Sequence, residues 1–244
     1  MNQLVSVIIP VYNHAAVIEK SCQSLLSQTY RPIEVIVVND GSTDNFASKT
    51  SKIVNLLRAN GVETKIITQP NKGAAAARNR GAQESKGEYL LFWDADTLAK
   101  PVLLAKMHGV LRDDREASFA YSQFRFGWKK MKSQAFSVTA LRKYNYIDTT
   151  SLIRRAVFTG FDESLHRFQD WDLWLTLIEK NKTGIFIPEV LFKKVVGFRK
   201  GYSSWLPRFW YKLPWKSKKV RGYEQAKEVI QAKHKLLAQA TLRP

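Results

Sequence analysis

Short apolar runs recur along roughly the first hundred residues of this chain, and segments with helical spacing separate them. The runs cover residues 5–9, 33–38, 65–68 and 89–93. After the first run, apolar residues have the spacing of one helix face: Val17, Ile18, Leu25 and Leu26. An alanine-rich helix is predicted over about residues 74–85. The alternation predicts an α/β fold, with right-handed crossovers and a doubly wound, mostly parallel sheet flanked by helices.

The fourth apolar run leads directly into an acidic pair. Residues 89–93 have the length of a strand buried on both faces, and Asp94, Ala95 and Asp96 follow. Sheets of this kind bind ligands beyond the carboxyl ends of their strands. On an extended backbone both carboxylates would project to one side and address one ligand, directly or through a divalent cation. Acidic pairs also form turns and helix caps, and these residues alone leave that reading open.

Two earlier runs end in residues suited to the same rim of the sheet. Pro10 is expected to stop the first strand, and Tyr12 follows it in a loop. The second run ends in Asp40 and Gly41, a turn pair that precedes hydroxyl and acidic residues suited to starting a helix. The sequence therefore predicts a set of carboxylates along one sheet rim.

Five segments occur in the order and spacing of one enzyme family. They are VSVIIPVYN, EVIVVNDGSTDN, NKGAAAARNRG, GEYLLFWDADT and GFDESLHRFQDWDLWL, and they span roughly residues 4–196. Together they resemble the family 2 glycosyltransferases, which are inverting enzymes with the GT-A nucleotide-sugar fold. The resemblance implies that the chain is an enzyme that moves a sugar from a nucleotide-diphospho-sugar donor to an acceptor hydroxyl.

The resemblance also implies a donor site. Pro10 and Tyr12 are expected to cradle the nucleobase, and Asp40 to accept a hydrogen bond from it. A carboxylate acceptor favours bases with a ring N–H, such as uracil or thymine, over cytosine. The remaining expected donor-binding residues are Lys72, Gly73, Arg78, Asp94 and Ala95. For Asp40 the alternative is a simple turn aspartate.

A divalent cation is the cofactor that the resemblance implies. Asp96 is the expected ligand of Mn²⁺ or Mg²⁺, and His166 is a further candidate ligand or phosphate contact. The cation would neutralise charge that develops on the departing nucleoside diphosphate. No histidine pair has the spacing of a zinc site.

The catalytic base is expected at Asp170. An inverting transfer requires the acceptor hydroxyl to lose a proton, and a carboxylate within hydrogen-bond reach is the usual base. The family often has Glu-Asp at this point, whereas this chain has Gln169 before Asp170, and Thr159 before Gly160 where Gly-Gly is common. The alternative is that Asp170 simply begins a helix over about residues 170–180. Asp172 is expected to be solvated or to support the residues that contact the substrates.

The last part of the chain is strongly basic and aromatic. Residues 198–244 contain twelve Lys or Arg against two Glu, and the whole chain has a net charge of +18. Tryptophans and other aromatics lie among these cations, a composition suited to an anionic membrane surface. An apolar stripe is predicted over about residues 222–242: Ala226, Val229, Ile230, Leu236, Leu237 and Ala240. The sequence leaves open whether this segment docks on a membrane or packs on the preceding domain.

Length and composition set the remaining expectations. With 244 residues and 45% hydrophobic content, the length fits one substantial α/β domain plus an extension. Together with the resemblance, this predicts a GT-A domain over residues 1–197 and a basic tail over residues 198–244. The chain shows no charged leader and no apolar run of roughly 18 residues, so we expect a cytoplasmic protein, peripheral on the inner face of the membrane. Cys22 is the sole cysteine, which excludes an internal disulfide. The expected acceptor is a lipid-linked or cell-envelope glycan.

Three other functional classes compete with this interpretation. A basic protein can bind nucleic acid, but the cations and aromatics cluster in one tail and no nucleic-acid module is recognisable, so no nucleic-acid partner is expected. A dinucleotide-binding enzyme would carry GxGxxG after its first strand, and the chain lacks it. A nucleotide-sugar-binding protein without catalysis stays an alternative. Asp170 argues against that alternative only if it faces the donor.

Overall fold

A computed structural model describes residues 2–195 and 217–236 of the protein. The strands are β1 (Val5–Val11), β2 (Ile33–Asp40), β3 (Glu63–Gln69), β4 (Tyr89–Phe92), β5 (Thr97–Ala99), β6 (Ala117–Phe126), β7 (Lys129–Lys130), β8 (Leu152–Arg154) and β9 (Thr183–Lys194). The helices are α1 (Ile18–Leu26), α2 (Phe46–Ala59), α3 (Ala74–Gln83), α4 (Leu103–Asp113), α5 (Val138–Lys143), α6 (Gln169–Glu179) and α7 (Lys218–Lys233). A short 3₁₀ turn covers Arg155–Val157.

The first half of the sheet has the predicted parallel arrangement. Strands β3, β2, β1 and β4 lie side by side and run in one direction. Pro10 does not end the first strand as expected, because β1 continues to Val11 with Pro10 opposite Val38 of β2. On the other side β1 pairs with β4 only as far as Ile8. The missing N–H of Pro10 is therefore tolerated where β1 has one strand partner.

The second half of the sheet mixes directions. Strand β8 pairs antiparallel with both β4 and β6, whereas β6 and β9 run parallel. Short β5 closes the far edge against β9, and β7 folds back on β6 as a hairpin. These pairings bring the carboxyl end of β9 close to the acidic loop after β4. The sheet is curled and mostly parallel, with helices on both faces.

Side chains alternate between two apolar cores along each central strand. In β1, Val7 and Ile9 face one core, and Ile8 faces the other. The first core packs against α1, α2 and α4, and the second against α3, α5, α6 and α7. Because both faces are covered, the central strands read as continuous apolar runs in the sequence. Within the described residues, no helix is both long and apolar enough to cross a bilayer.

Helix α7 packs on the domain. Ile230 is fully buried in the second core, and His234 hydrogen-bonds Asp172 and Glu179 of α6 at 2.8 Å each. Burial opposes protonation of His234, but these two carboxylates raise its pKa above the ordinary value. Val229 of the predicted apolar stripe is half exposed, and the end of the stripe lies outside the described residues, as do residues 196–216 with most of the tail aromatics. The packing alternative thus holds for residues 217–236, and membrane docking of the tail stays a prediction.

Candidate active site

The acidic pair after β4 lies in a turn. The amide of Thr97 donates to the carbonyl of Asp94 at 2.9 Å, and this turn reverses the chain into β5. The pair is therefore not held on the extended backbone that the sequence interpretation assumed, because the turn closes directly after Trp93. Ala95 is buried, and both carboxylates are half-buried. The two acidic groups still interact, since the charge of Asp94 contributes to the raised pKa of Asp96.

Asp94 is clamped between two cations. Its Oδ1 accepts a hydrogen bond from Arg78 Nη2 at 2.8 Å, and its Oδ2 accepts one from Lys194 Nζ at 2.6 Å. Burial alone would raise the pKa of Asp94, but Lys194 and Arg78 overcome that effect and hold the pKa below its ordinary value. The same Lys194 Nζ lies 2.8 Å from Oδ2 of Asp148. Both oxygens of Asp94 are thus engaged by the protein's own cations.

Asp96 has a different environment. Burial raises its pKa above the ordinary value, and Asp94 and Asp148 add to the effect, whereas Lys194 and His14 oppose it. Across residues 2–195 and 217–236, no group of three or more His, Cys, Asp or Glu is arranged to hold a metal ion. Asp96 is the member of the acidic pair that is not engaged in an ion pair with Arg78 or Lys194.

Arg78 links three elements. Besides its bond to Asp94, Nη1 donates to Gln169 Oε1 at 3.0 Å, and the guanidinium lies over the Phe161 ring at 5.4 Å. Gln169 in turn donates to the carbonyl of Leu165 at 2.6 Å. A neutral amide at position 169 can both accept from Arg78 and donate to this loop, which a carboxylate cannot do. Arg78 is buried and paired, and it connects the acidic loop to the start of α6.

Asp170 lies at the start of α6 and is held by two donors. Its Oδ2 accepts from Asn145 Nδ2 at 2.8 Å, and its Oδ1 accepts from the amide of Trp171 at 2.9 Å. Burial and the nearby charge of Asp148 raise the pKa of Asp170 to about 6. Lys194 acts on the same carboxyl in the opposite direction. Asp170 and the acidic pair therefore belong to one electrostatic cluster, joined by Lys194 and Asp148.

The predicted base-binding residues lie at the ends of β1 and β2. Tyr12 is 44% exposed, whereas Asp40 is almost fully buried. Asp40 Oδ1 accepts from Gln69 Nε2 and the Lys72 amide at 2.8 and 2.9 Å, and Oδ2 accepts from the Gly73 amide at 2.8 Å. Gly73 adopts a φ of 92°, which favours glycine. Asp40 thus anchors the turn that leads into α3.

The remaining predicted residues lie just before α6 or within it. His166 is exposed in the loop before α6. Asp172 is not solvated, since it is buried and bonded to Lys233 of α7 and to His234, which directly follows this helix. The tryptophans Trp171 and Trp174 are buried in the second core, as expected for packing residues.

Three residues of the cluster were missed from the sequence: Asn145, Asp148 and Lys194. Each lies outside the recognised motifs, and in a chain with 39 Lys and Arg a lysine at a strand end carries little signal. Lys193 and Lys194 are adjacent, and only the strand pairing of β9 shows which of the two points to the acidic loop. Successive side chains of a strand point to opposite faces, so the register of β9 would have shown which of the two lysines faces the acidic loop.

Comparison with known proteins identifies the family. Residues 6–167 match the sequence profile of Glycosyl transferase family 2. The chain belongs to this family of glycosyltransferases. The enzyme is 30% identical over 192 residues to chondroitin synthase of Pasteurella multocida strain Pm70. That alignment covers 73% of the enzyme and 19% of the synthase, so the glycosyltransferase spans about a fifth of the length of this relative.

Solved structures share the fold of the glycosyltransferase. The crystal structure of S. aureus TarS 1–349 in complex with UDP-GlcNAc has a TM-score of 0.67 at 21% identity, and the match covers 85% of the enzyme and 63% of TarS. The mannosyltransferase PcManGT from Pyrobaculum calidifontis, in complex with GDP-Man and Mn²⁺, has a TM-score of 0.67 at 17% identity and covers 100% of the enzyme and 77% of PcManGT. The enzyme therefore has the predicted GT-A fold.

Proposed function

We propose that this glycosyltransferase moves a sugar, with inversion, from a UDP- or dTDP-sugar to a hydroxyl of a lipid-linked or cell-envelope glycan. The observation that carries the proposal is the cluster in which Asp94, Asp96 and Asp170 meet around Lys194. Those three carboxylates come from two distant parts of the sequence, and one cluster lets them act on a single donor–acceptor pair. Asp170 argues against a binding protein without catalysis, because it lies in the same electrostatic cluster as the acidic pair and its pKa is raised toward neutral pH, as suits a general base.

The donor site is proposed at the rim formed by β1, β2 and β4. The exposed ring of Tyr12, two residues after Pro10, is available to lie against the nucleobase. Asp40 Oδ2 accepts one hydrogen bond, from Gly73, and a carboxylate oxygen has capacity for a second one from a ring N–H. Lys72 is exposed beside the amino terminus of α3, where backbone N–H groups favour phosphate. Arg78 would act here through Asp94, which it holds in place, next to Ala95.

Asp96 would hold the divalent cation, Mn²⁺ or Mg²⁺. One carboxylate together with substrate phosphates suits such cations. The residues fit this role because Asp94 is already paired with Arg78 and Lys194, whereas Asp96, in the same turn, forms no ion pair with either of these cations. When bound, the ion would supply positive charge to the leaving diphosphate. His166 is kept as a proposed further contact, and the complex of PcManGT with Mn²⁺ supports a metal in this fold.

Asp170 would accept the proton of the acceptor hydroxyl as the sugar leaves the diphosphate. Asn145 and the amide of Trp171 orient its carboxylate. The expected location of the reaction is the cytoplasmic face of the membrane, with residues 1–197 as the transferase domain and residues 198–244 as an anionic-membrane contact. No nucleic-acid partner is proposed.

A thermal-shift panel tests the donor and the metal together. We expect a UDP- or dTDP-sugar with Mn²⁺ to raise the melting temperature, and a CDP-sugar to leave it unchanged. Asp96→Ala should remove the Mn²⁺-dependent part of the shift, because it removes the proposed metal ligand. Asp113→Ala, which removes an exposed carboxylate of α4, is the matched control and should keep the shift. An equal Mn²⁺-dependent shift in Asp96→Ala would remove the metal assignment.

The pH profile of transfer reports on the base. Since Asp170 has a pKa raised to about 6, kcat/KM should fall as the pH drops through about 6. The hydrogen bond from Asn145 lowers this pKa, so Asn145→Ala should move the acid limb to higher pH. Initial rates at subsaturating acceptor measure both profiles. Coincident acid limbs in the two proteins would contradict the assignment of the limb to Asp170.

A further inference from the structure

A hairpin next to the active site carries an exposed tryptophan. Strands β6 and β7 are joined at Gly127 and Trp128, and Trp128 is 87% exposed. We call residues 125–132 the basic hairpin. Its cations Arg125, Lys130 and Lys132 are exposed. A tryptophan side chain with so large an exposed fraction is unusual.

Acidic residues are missing from the sequence around the basic hairpin. Between Ala117 and Ile147 there are six Lys or Arg and no Asp or Glu. On the neighbouring strand β9, Lys193 pairs with Arg125 and is also exposed. The hairpin surface therefore combines the exposed cations Arg125, Lys130 and Lys132 with one large apolar side chain.

The basic hairpin begins beside the acidic cluster. Phe126 pairs with Lys194, and the Gly127 amide donates to the Lys194 carbonyl at 2.9 Å. The side chain of Lys194 reaches Asp94. A surface bound by the hairpin would thus lie close to the proposed site of transfer. The same acid-free stretch contains Asn145, which holds the proposed base.

We propose that the basic hairpin docks the enzyme on an anionic membrane surface, with Trp128 at the level of the lipid headgroups. Tryptophan favours the interface because it is apolar with one polar N–H, and lysines near an anionic leaflet gain from its negative potential. This contact is separate from the tail, since it uses residues 125–132. It does not depend on the proposed reaction, because membrane binding is measured without donor or acceptor.

The first test compares two charge-reversal variants of the full chain. Lys130→Glu with Lys132→Glu changes the hairpin, whereas Lys20→Glu with Lys180→Glu changes two exposed lysines on other elements by the same net charge. Co-sedimentation uses vesicles of phosphatidylcholine with or without phosphatidylglycerol. At about 1 kcal/mol per lysine, loss of two lysines should weaken binding to the anionic vesicles roughly 30-fold or more. The control pair should stay within a few-fold of the native protein, and equal weakening in both variants would overturn the proposal.

The second test locates the tip of the hairpin. Cys22 is the sole cysteine and is fully buried, so a single new cysteine can be labelled selectively. A polarity-sensitive dye on Trp128→Cys should shift to shorter wavelength with phosphatidylglycerol vesicles, and the same dye on Lys20→Cys should not. Melting curves confirm that both variants are folded. No shift at position 128, or the same shift with soluble polyphosphate in place of vesicles, would overturn membrane docking, the latter in favour of a soluble polyanion.

Discussion

Asp170→Asn should abolish sugar transfer while donor binding stays within a few-fold of the native protein. Asparagine cannot accept the hydroxyl proton, and loss of a general base costs about 10²- to 10⁴-fold in rate. The fold should be kept, because the amide oxygen of asparagine can still accept one of the two hydrogen bonds that Asn145 and the Trp171 amide now make. Transfer is measured as product formed in single-turnover reactions, and donor binding by calorimetry with the UDP- or dTDP-sugar that stabilises the native enzyme.

Asp162→Asn is the matched control for this substitution. Asp162 lies in the loop before α6 and bonds Lys233 of α7, so the change has the same chemistry outside the acidic cluster. It should leave transfer largely intact. Full transfer by Asp170→Asn would remove the base from the proposal, whereas lost donor binding in this variant would show that Asp170 serves the donor site instead.

Lys194→Met should destabilise the protein by about 3–5 kcal/mol at neutral pH, because it leaves Asp94 and Asp148 without their shared ammonium group. Removal of one partner of a buried ion pair costs more than the pair itself contributes, since the remaining charge stays desolvated. The free energy of unfolding is measured by urea titration at about pH 7. Lys193→Met, on the exposed side of the same strand, is the control and should change the stability by less than about 0.5 kcal/mol.

The stability deficit of Lys194→Met should depend on pH, and the direction of this dependence follows from the pKa of Asp94. In the native protein the pKa of Asp94 lies below its ordinary value, so the carboxylate contributes stability above its unfolded pKa and the ion pair persists at mildly acidic pH. Without Lys194, Arg78 alone opposes the effect of burial, so the pKa of Asp94 in the folded protein should lie higher than in the native enzyme. The stability deficit of Lys194→Met relative to the native protein should therefore shrink as the pH falls from about 7 to about 4. A deficit that is the same at both pH values would contradict the charge explanation.

The motifs of the sequence predicted the fold correctly, together with the first residues of β1, β2 and β4, whereas the last residue of each predicted strand was wrong by one or two positions. The apolar runs over residues 5–9, 33–38 and 89–93 became β1, β2 and β4, since a strand buried on both faces leaves a continuous local signal. The run of helix-favouring alanines likewise became α3. The prediction that Pro10 ends the first strand was wrong, because β1 stays paired with β2 beyond Pro10 although its pairing with β4 ends at Ile8.

The roles of the individual site residues were harder to predict from the sequence than the fold. Arg78 was expected at the nucleotide, but its guanidinium is engaged with Asp94 and Gln169. Asp40 was expected at the base, and it also anchors the turn at Lys72 and Gly73. A motif identifies which residues gather at a site. It does not show which of their hydrogen-bonding atoms the protein already uses, because that depends on partners from other elements.

Local periodicity and motif order were thus enough to predict the family and the core of the sheet. Tertiary structure alone brought Lys194 onto Asp94, 100 residues away in the chain, and joined Asp148 and Asn145 to the proposed base. It also placed the basic hairpin beside the site and packed α7 on α6 through His234 and Asp172. The physical reason is that a strand or helix is determined by an apolar pattern over a few neighbouring residues, which the sequence shows directly. The partner of a buried charge is determined by strand pairing between distant segments, so no local pattern in the sequence identifies it.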